Sequence, residues 1–324
     1  MPDLNIAWWN LENLFDRVNA ARPPELAQKL AGELQGWTTA VRNRKLAQLA
    51  SVVESMFGGR GPDLLGVCEV ENEHVLSLLV NQINLPARNY HVVAHNSPDA
   101  RGIDVSFIVD LNTLQVVATD HQVVVKRSAT RDIFWVELNE PTTGATFVAI
   151  ANHWPARSAG LYESEPFRML TGETLSFVLS DLFTQSNLSN NLPVILMGDF
   201  NDEPFNRSMR EYLLGTRDDG RVRRSRSAPC VFNLMWPLMD ARNLGTYRYG
   251  SEWNMLDQFL VTKGMLRNNS AARIRRDTVE IFRPASICGT GGCPRRFGRP
   301  SNNSLDNGGF SDHFPITIIL RTHV

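Results

Sequence analysis

Carboxylates, amides and imidazoles, the side chains of acid–base chemistry and cation binding, recur in six short clusters of this sequence. Asp199, Asn201, Asp202 and Glu203 follow directly on the apolar run VILM in VILMGDFNDEP (194–204). Asn10 and Glu12 stand in WNLEN (9–13), and Glu69 and Glu71 in CEVEN (68–72). Asn152 and His153 open NHWP (152–155), Asp257 lies in MLDQF (255–259), and Asp312 and His313 end SDH (311–313). Each cluster has an ordinary explanation when taken alone. Asn10 suits a turn, Glu69 or Glu71 could cap a following helix, Asp257 could be a solvated strand-edge charge, and His153 a hydrogen-bonded core histidine. All six, however, flank apolar, strand-like runs. Reacting groups of layered α/β proteins gather in clefts at strand ends, so six such tips argue against coincidence.

The elements that must carry these tips can be read from the apolar pattern. Short apolar runs bounded by turn residues predict strands over 4–9, 64–67, 90–94, 103–109, 115–118 and 122–125. Further strands are predicted over 133–138, 146–151, 193–198, 258–261 and 316–320. Helical spacing predicts a helix over 39–56, with Leu46, Leu49, Val53 and Met56 on one face, and others over 73–83, 166–184 and near 207–213. Segments near 215–230 and 283–310, rich in Arg, Gly, Pro and Asn, read as long surface loops. Strands and helices alternate without an internal repeat or a dividing linker. An α/β chain forming a single domain over 1–324 is expected.

Bulk properties narrow the function. The formal net charge of −1 supplies no global positive field for nucleic acid, so any phosphate-binding surface must be local. Four cysteines are too few for a disulfide framework in 324 residues. Cys288 and Cys293, in ICGTGGCPRRF, are close enough for a bridge or half a metal site, but no nearby Cys or His completes a zinc set, and free thiols are expected. The start, MPDLNIAWWN, lacks the basic and apolar regions of an export signal, and no run approaches the roughly 18 apolar residues of a membrane span. The chain as it stands is expected to be a cytoplasmic monomer, or secreted or periplasmic if a signal has been removed.

Read in order, WNLEN, CEVEN, NHWPAR, GDFND, MLDQFLV and GFSDHFPI resemble the endonuclease/exonuclease/phosphatase superfamily. Its branches include pancreatic-type deoxyribonuclease, abasic-site endonucleases, inositol polyphosphate 5-phosphatases and neutral sphingomyelinases. The motifs run from residue 8 to residue 316, and GDFN followed by SDHxP is the most specific part. The resemblance implies a deoxyribonuclease-like fold, a four-layer sandwich of two mixed β-sheets flanked by helices. It also implies roles. Glu69 matches the family's metal-binding glutamate, Asn10 and Glu12 an Asn-x-Asp/Glu pair beside that metal, and Asp312 another nearby carboxylate. Hard oxygen donors of this kind suit Mg²⁺, with Mn²⁺ or Ca²⁺ as substitutes. Asp199 and Asn201 match the pair that positions or deprotonates the attacking water, His313 the histidine at the phosphate, and Asp257 the acid that holds it. His153 matches a second histidine of the deoxyribonuclease and sphingomyelinase branches, where the abasic-site branch has tyrosine. Arg131 falls where many members have an arginine starting a strand and could steady the site, and it and Asn152 are carried as substrate-phosphate contacts.

The implied reaction is Mg²⁺-dependent hydrolysis of a phosphodiester, with DNA or RNA as the leading substrate and a small or lipid phosphoester as the alternative. A catalytically silent binding module would not need the full set of acids and histidines. Either Asp199 or His313 could be the general base, and Asp199 is preferred, with His313 as a protonated stabiliser. Two residues apart on an extended chain, Asp199 and Asn201 would face one phosphate together. The basic segments at 217–226 and 295–299 could track a polynucleotide backbone, and Trp154, Trp236 and Trp253 could stack bases. RGIDVSF (101–107) resembles bacterial nuclease-like members of the superfamily.

Overall fold

In the computed structural model, which describes residues 2–99, 101–226, 228–239 and 244–323, the apolar runs become strands of two sheets. The chain opens with β1 (Asp3–Leu14), α1 (Pro24–Leu30), α2 (Thr39–Gly59), β2 (Leu64–Val70), α3 (Glu73–Gln82), β3 (Tyr90–Ala94) and β4 (Asp104–Asp110). It continues through β5 (Gln115–Gln122), β6 (Ile133–Glu140), β7 (Ala145–His153), α4 (Leu161–Gln185) and β8 (Val194–Asp199). Next come β9 (Gly215–Thr216), α5 (Asp219–Arg224), β10 (Val231–Asn233) and a hairpin of β11 (Tyr247–Tyr249) and β12 (Glu252–Asn254). β13 (Asp257–Val261), β14 (Ala272–Ile281) and β15 (Ile316–Thr322) complete it. Among the described residues one sheet has the order β14-β15-β1-β2-β4-β3 and the other β5-β6-β7-β8-β13-β10-β9. Both are mixed: β1 runs parallel to β2 but antiparallel to β15, and β8 parallel to β7 but antiparallel to β13.

The run at 194–197 shows why the layers form. Ile195 and Met197 join Trp8, Val67, Phe107 and Phe259 in the core between the sheets. Val194 and Leu196 face the other way, against Leu175, Val178 and Leu179 of α4. A strand buried on both faces has no polar side, so its sequence shows no alternation. Helices α2 and α3 cover the first sheet with Leu46, Leu49, Val53, Leu76 and Leu79. The result is the expected four-layer α/β sandwich of two mixed sheets flanked by helices.

This topology collects the six polar clusters. Asn10 pairs with Cys68, Trp8 with Ile316, His153 with Asp199, and Asp199 with Asp257. Because β13 and β15 run antiparallel to their neighbours, they begin at the end where β1, β2, β7 and β8 finish. All six tips therefore share one end of the sandwich.

Several elements differ from their sequence-based expectation. Residues 122–125 do not form a separate strand; β5 is one exposed edge strand ending at Gln122, and Val125 is exposed. The helix expected over 166–184 begins earlier: α4 starts at Leu161 and keeps Pro166 inside its first turns. The helix near 207–213 is a short π-helical turn over Ser208–Tyr212. β14 was not anticipated: it is a charged edge strand whose register shifts between Arg275 and Glu280, and that shift breaks the period-two signal. The segment near 215–230 carries β9 and α5 rather than a plain loop.

The segment 283–310 is not simply a surface loop either. Phe297 is fully buried with Phe15, Leu30, Leu34, Trp37 and Ile103, and meets the Trp37 ring edge-on at 6.0 Å. Anchored there, the segment lies as a strap against the end of β1. Replacing Phe297 by Ala should destabilise the protein by about 3–5 kcal/mol, the usual cost of emptying a buried aromatic site. Denaturant unfolding checks this, and a loss below about 1 kcal/mol would mean that the strap undocks independently of the core.

Candidate active site

The strand ends are bent to aim their side chains. The β1–β2 register shifts between Asn10 and Leu14, and Glu12, Asn13 and Glu69 adopt positive φ of 51°, 55° and 62°. Non-glycine residues rarely take this conformation, and a bulge that imposes it re-aims the residues it carries. Asn72, not Glu69 or Glu71, caps α3, its Oδ1 accepting the Val75 N–H at 2.9 Å. Glu71 is instead held by Arg22. Glu69 is thus left to the cleft: Oε2 accepts the Asn13 N–H at 2.9 Å, while Oε1 lies 3.7 Å from His153 Nε2 and 3.9 Å from Arg101.

Asp199 is the centre of the cluster. Its Oδ2 accepts Asn10 Nδ2 at 3.0 Å and lies 3.8 Å from Nε2 of both His153 and His313. Burial raises its pKa to about 6, helped by Asp257 and opposed by His313. Asp257 Oδ2 accepts His313 Nδ1–H at 2.6 Å, and its Oδ1 accepts the Trp8 indole N–H at 2.9 Å. Burial works against charge on His313, yet Asp257 and Asp199 lift its pKa well above the ordinary value, which favours the protonated ring. His153 is the converse. Burial, with Arg131 and Arg101 nearby, drives its pKa well below the usual value, leaving a neutral ring whose Nδ1 has no partner. Asp312 is pushed up to about 7 by desolvation and by its neighbours Glu12 and Glu69.

Asn10, Glu69, His153, Asp199, Asp257 and His313 therefore come together, with Asp312 beside them. Other expected residues are engaged differently. Glu12 is turned to the strap: its carboxylate accepts the Phe297 and Gly298 N–H groups at 2.8 and 3.1 Å and Arg296 Nε at 2.6 Å. Asn201 is not on an extended chain. With φ of 50° it turns its amide to the Trp154 carbonyl at 3.0 Å, while its N–H donates to Asp199 Oδ1. Arg131 is buried and spends its guanidinium on the carbonyls of His153 and Trp154 and on Asp99, so it braces the β7 end instead of reaching a phosphate. Asn152 points into the sheet, accepting the Trp154 indole N–H at 3.3 Å. Gly198 makes that possible, because a Cβ there would lie 2.6 Å from the Asn152 Cβ.

Five further residues contribute, of which Trp8 and Tyr247 had no sequence signal. Trp8 and Trp9 use their indole N–H groups on Asp257 and on the His313 carbonyl, the kind of partner a buried tryptophan needs. Tyr247 tilts over the His313 ring at 4.7 Å. Arg101 and Arg296, each with a side chain about half exposed, stand near Glu69 and Asp312. Trp154 is fully buried, edge-on to Phe200 at 5.0 Å, whereas Trp253 lies against Phe314. The basic segment at 217–226 is at the wrong end for the cleft: the Ser225 carbonyl accepts Lys263 Nζ, beyond the far end of β13. Among 295–299, Arg295 pairs with Asp306 and Arg299 with Glu33, leaving Arg296 at the site.

The donor set fits a hard divalent cation. Glu69 and the Asn10 Oδ1 are oxygen donors at the bulged ends of β2 and β1, with Asp312 just before β15, and the upward push on Asp312, from desolvation first and then from Glu12 and Glu69, is a cost that a cation would relieve. Ligand atoms of Asp199, Asp257 and His313 also lie within 4.8 Å of one another, but two of them already form the 2.6 Å hydrogen bond.

The sequence profile described as "Endonuclease/Exonuclease/phosphatase family" matches residues 5–322. The chain belongs to the endonuclease/exonuclease/phosphatase family. No curated protein matches it. Solved structures share the fold at low identity. The humanised zebrafish (D. rerio) TDP2 is 11% identical, with 99% of each chain covered and a TM-score of 0.60. The catalytic domain of human Nocturnin, with a bound sulfate anion, is 16% identical over 99% of this chain and 94% of that one, at 0.58. A mannosyl-6-phosphatase of Bacteroides thetaiotaomicron is 15% identical over 98% and 99%, at 0.57. Family membership makes this a phosphoester hydrolase of a generally divalent-metal-dependent class.

One electrostatic consequence is testable without substrate. Asp257→Asn removes the anion that keeps the proton on His313, so the imidazole pKa should fall. Proton NMR titration of His313 reads this directly. The raised native pKa also stabilises the fold below the unfolded histidine value of roughly 6.5, and that contribution is lost as pH rises through the native pKa. The variant should show a flatter dependence of stability on pH.

Proposed function

We propose that this family member hydrolyses phosphodiester bonds, with DNA or RNA as the leading substrate and Mg²⁺ as the cofactor. The observation that carries the reading is the pairing of a buried carboxylate with a histidine held by a second carboxylate: Asp199 Oδ2 lies 3.8 Å from His313 Nε2, and His313 is fixed by Asp257 at 2.6 Å. Asp199, ionised at neutral pH, accepts a proton from the attacking water. His313 keeps its proton, placing positive charge and a donor where the phosphoryl oxygens gain charge. Asp257 sets the ring tautomer, as in other hydrolytic Asp–His pairs. His153, neutral and next to both Glu69 and Asp199, offers a further hydrogen-bond partner to a phosphate oxygen. Glu69, Asn10 and Asp312 would hold the cation, which supplies Lewis-acid stabilisation of the developing charge.

A second reading is favoured by the remote position of the 217–226 segment. With Arg101 and Arg296 as the half-exposed cations at the cleft, a small phosphoester would be bound as well as a polynucleotide. A panel of plasmid DNA, single-stranded RNA, bis-p-nitrophenyl phosphate and a phosphomonoester, each with and without EDTA, separates the two. Cleavage confined to the monoester would replace the nuclease reading, and EDTA-resistant turnover would remove the cation. Asp199→Ala and His313→Ala should each lose about 10²–10⁴-fold in kcat while keeping the wild-type circular dichroism spectrum. Activity should rise as pH climbs through about 6, where Asp199 ionises, and fall again as His313 loses its proton.

A further inference from the structure

The end of the sandwich carries a second cluster of ligand-type side chains outside the proposed active site. β3 is the last strand of the first sheet and β5 the last strand of the second. His95 directly follows β3, His121 lies in β5, and Asp132 directly precedes β6. His95 Nε2 is 2.8 Å from Asp132 Oδ2, and the His95 and His121 rings lie 4.0 Å apart. One ligand atom from each of the three residues falls within 4.8 Å of the others. Asp132 is only 3% exposed, and its Oδ1 is buried with no hydrogen-bond partner. A buried carboxylate oxygen left unpaired is costly, which marks a place for a missing donor or cation.

We propose that His95, His121 and Asp132 form a second cation site, taking a borderline transition ion of the Zn²⁺ class and clamping the free edges of the two sheets together. Two imidazoles and one carboxylate are the donors that Zn²⁺ prefers and Mg²⁺ does not, with a fourth position left for water. Tetrahedral Zn²⁺ needs ligand atoms about 3.4 Å apart, so the 2.8 Å His95–Asp132 contact must open slightly and the His121 ring, stacked on His95, must turn to aim a nitrogen at the ion. His95 is fixed between Asp132 and the Phe134 ring, stacked at 5.6 Å. The turn falls on His121, whose side chain is 42% exposed. The surrounding charge favours a cation: Asp120 is 3.9 Å from His121, and Asp104, bonded to Ser97, lies near His95. The clamp would also steady Arg131, the neighbour of Asp132, and through it the carbonyls of His153 and Trp154.

The test uses the full chain, stripped of metal, in a Glu69→Gln/Asp199→Asn background that disables the Mg²⁺ centre, with Mg²⁺ present in excess. Calorimetric titration with Zn²⁺ should show one bound equivalent, and Zn²⁺ should raise the melting temperature. Adding His121→Ala, a change at an exposed side chain, should weaken Zn²⁺ binding at least about tenfold and cancel the thermal shift. Asp132→Asn should do the same if it folds. Absence of Zn²⁺ binding in the background, or a loss smaller than tenfold in His121→Ala, overturns the proposal.

Discussion

Buried negative charge at one end of the sandwich is the constraint on which the rest of the structure depends. Glu12, Glu69, Asp199, Asp257 and Asp312 converge there, and a carboxylate taken out of water must be paired, hydrogen-bonded or protonated. The fold answers each differently. Glu12 is bound by backbone N–H groups and Arg296 of the strap, Asp257 by Trp8 and His313, and Glu69 in part by the Asn13 N–H. Asp199 and Asp312 are the least compensated, and their raised pKa values record it. Those two are the carboxylates that a water proton and a cation would satisfy.

The supporting shell follows from the same constraint. Lys45 is fully buried, donates to the Glu12 carbonyl at 2.6 Å, and has its pKa lowered by that burial. It lies 4.9 Å from the Phe297 ring, so one side chain links α2, the β1 bulge and the strap. Arg131 plays a matching part for β7. Neither residue needs to touch substrate. Each holds backbone whose distortion would move a reacting side chain, and tight positioning matters because small misplacements carry large rate costs.

How much of this could be read from the sequence depended on whether the signal was local. The strand tips and their residue types were legible because polar clusters stand out against apolar runs such as 194–197. The sheet order was not, since nothing local states that β13 and β15 begin where β8 and β1 end. Glu12 shows the limit most clearly. Motif position made it a neighbour of the cation, but its carboxylate is claimed by residues 296–298, nearly 300 positions away. The partners of Arg131 and Asn152 were hidden for the same reason: they are backbone carbonyls and an indole set by the tertiary fold, which make Arg131 a brace and turn Asn152 inward. Asn201 failed locally, because its positive φ ends the extended geometry that would have aligned it with Asp199.

These corrections change what the acidic stretch after 194–197 does. Asp199 alone faces the two histidines. Asn201 ties Asp199 and the Trp154 carbonyl together, acting as a brace through its main-chain N–H and its side-chain amide. Asp202 is buried against Arg157 and Arg168, and Glu203 accepts the Met255 N–H at 3.0 Å, which positions the residues leading into Asp257. The turn therefore sets both members of the Asp199–Asp257 pair from one side. With Asp199 and Asp257 both held from that turn, the carboxylate that faces the attacking water and the one that holds His313 keep their spacing, and the 3.8 Å separation of Asp199 Oδ2 from His313 Nε2 is set by the backbone.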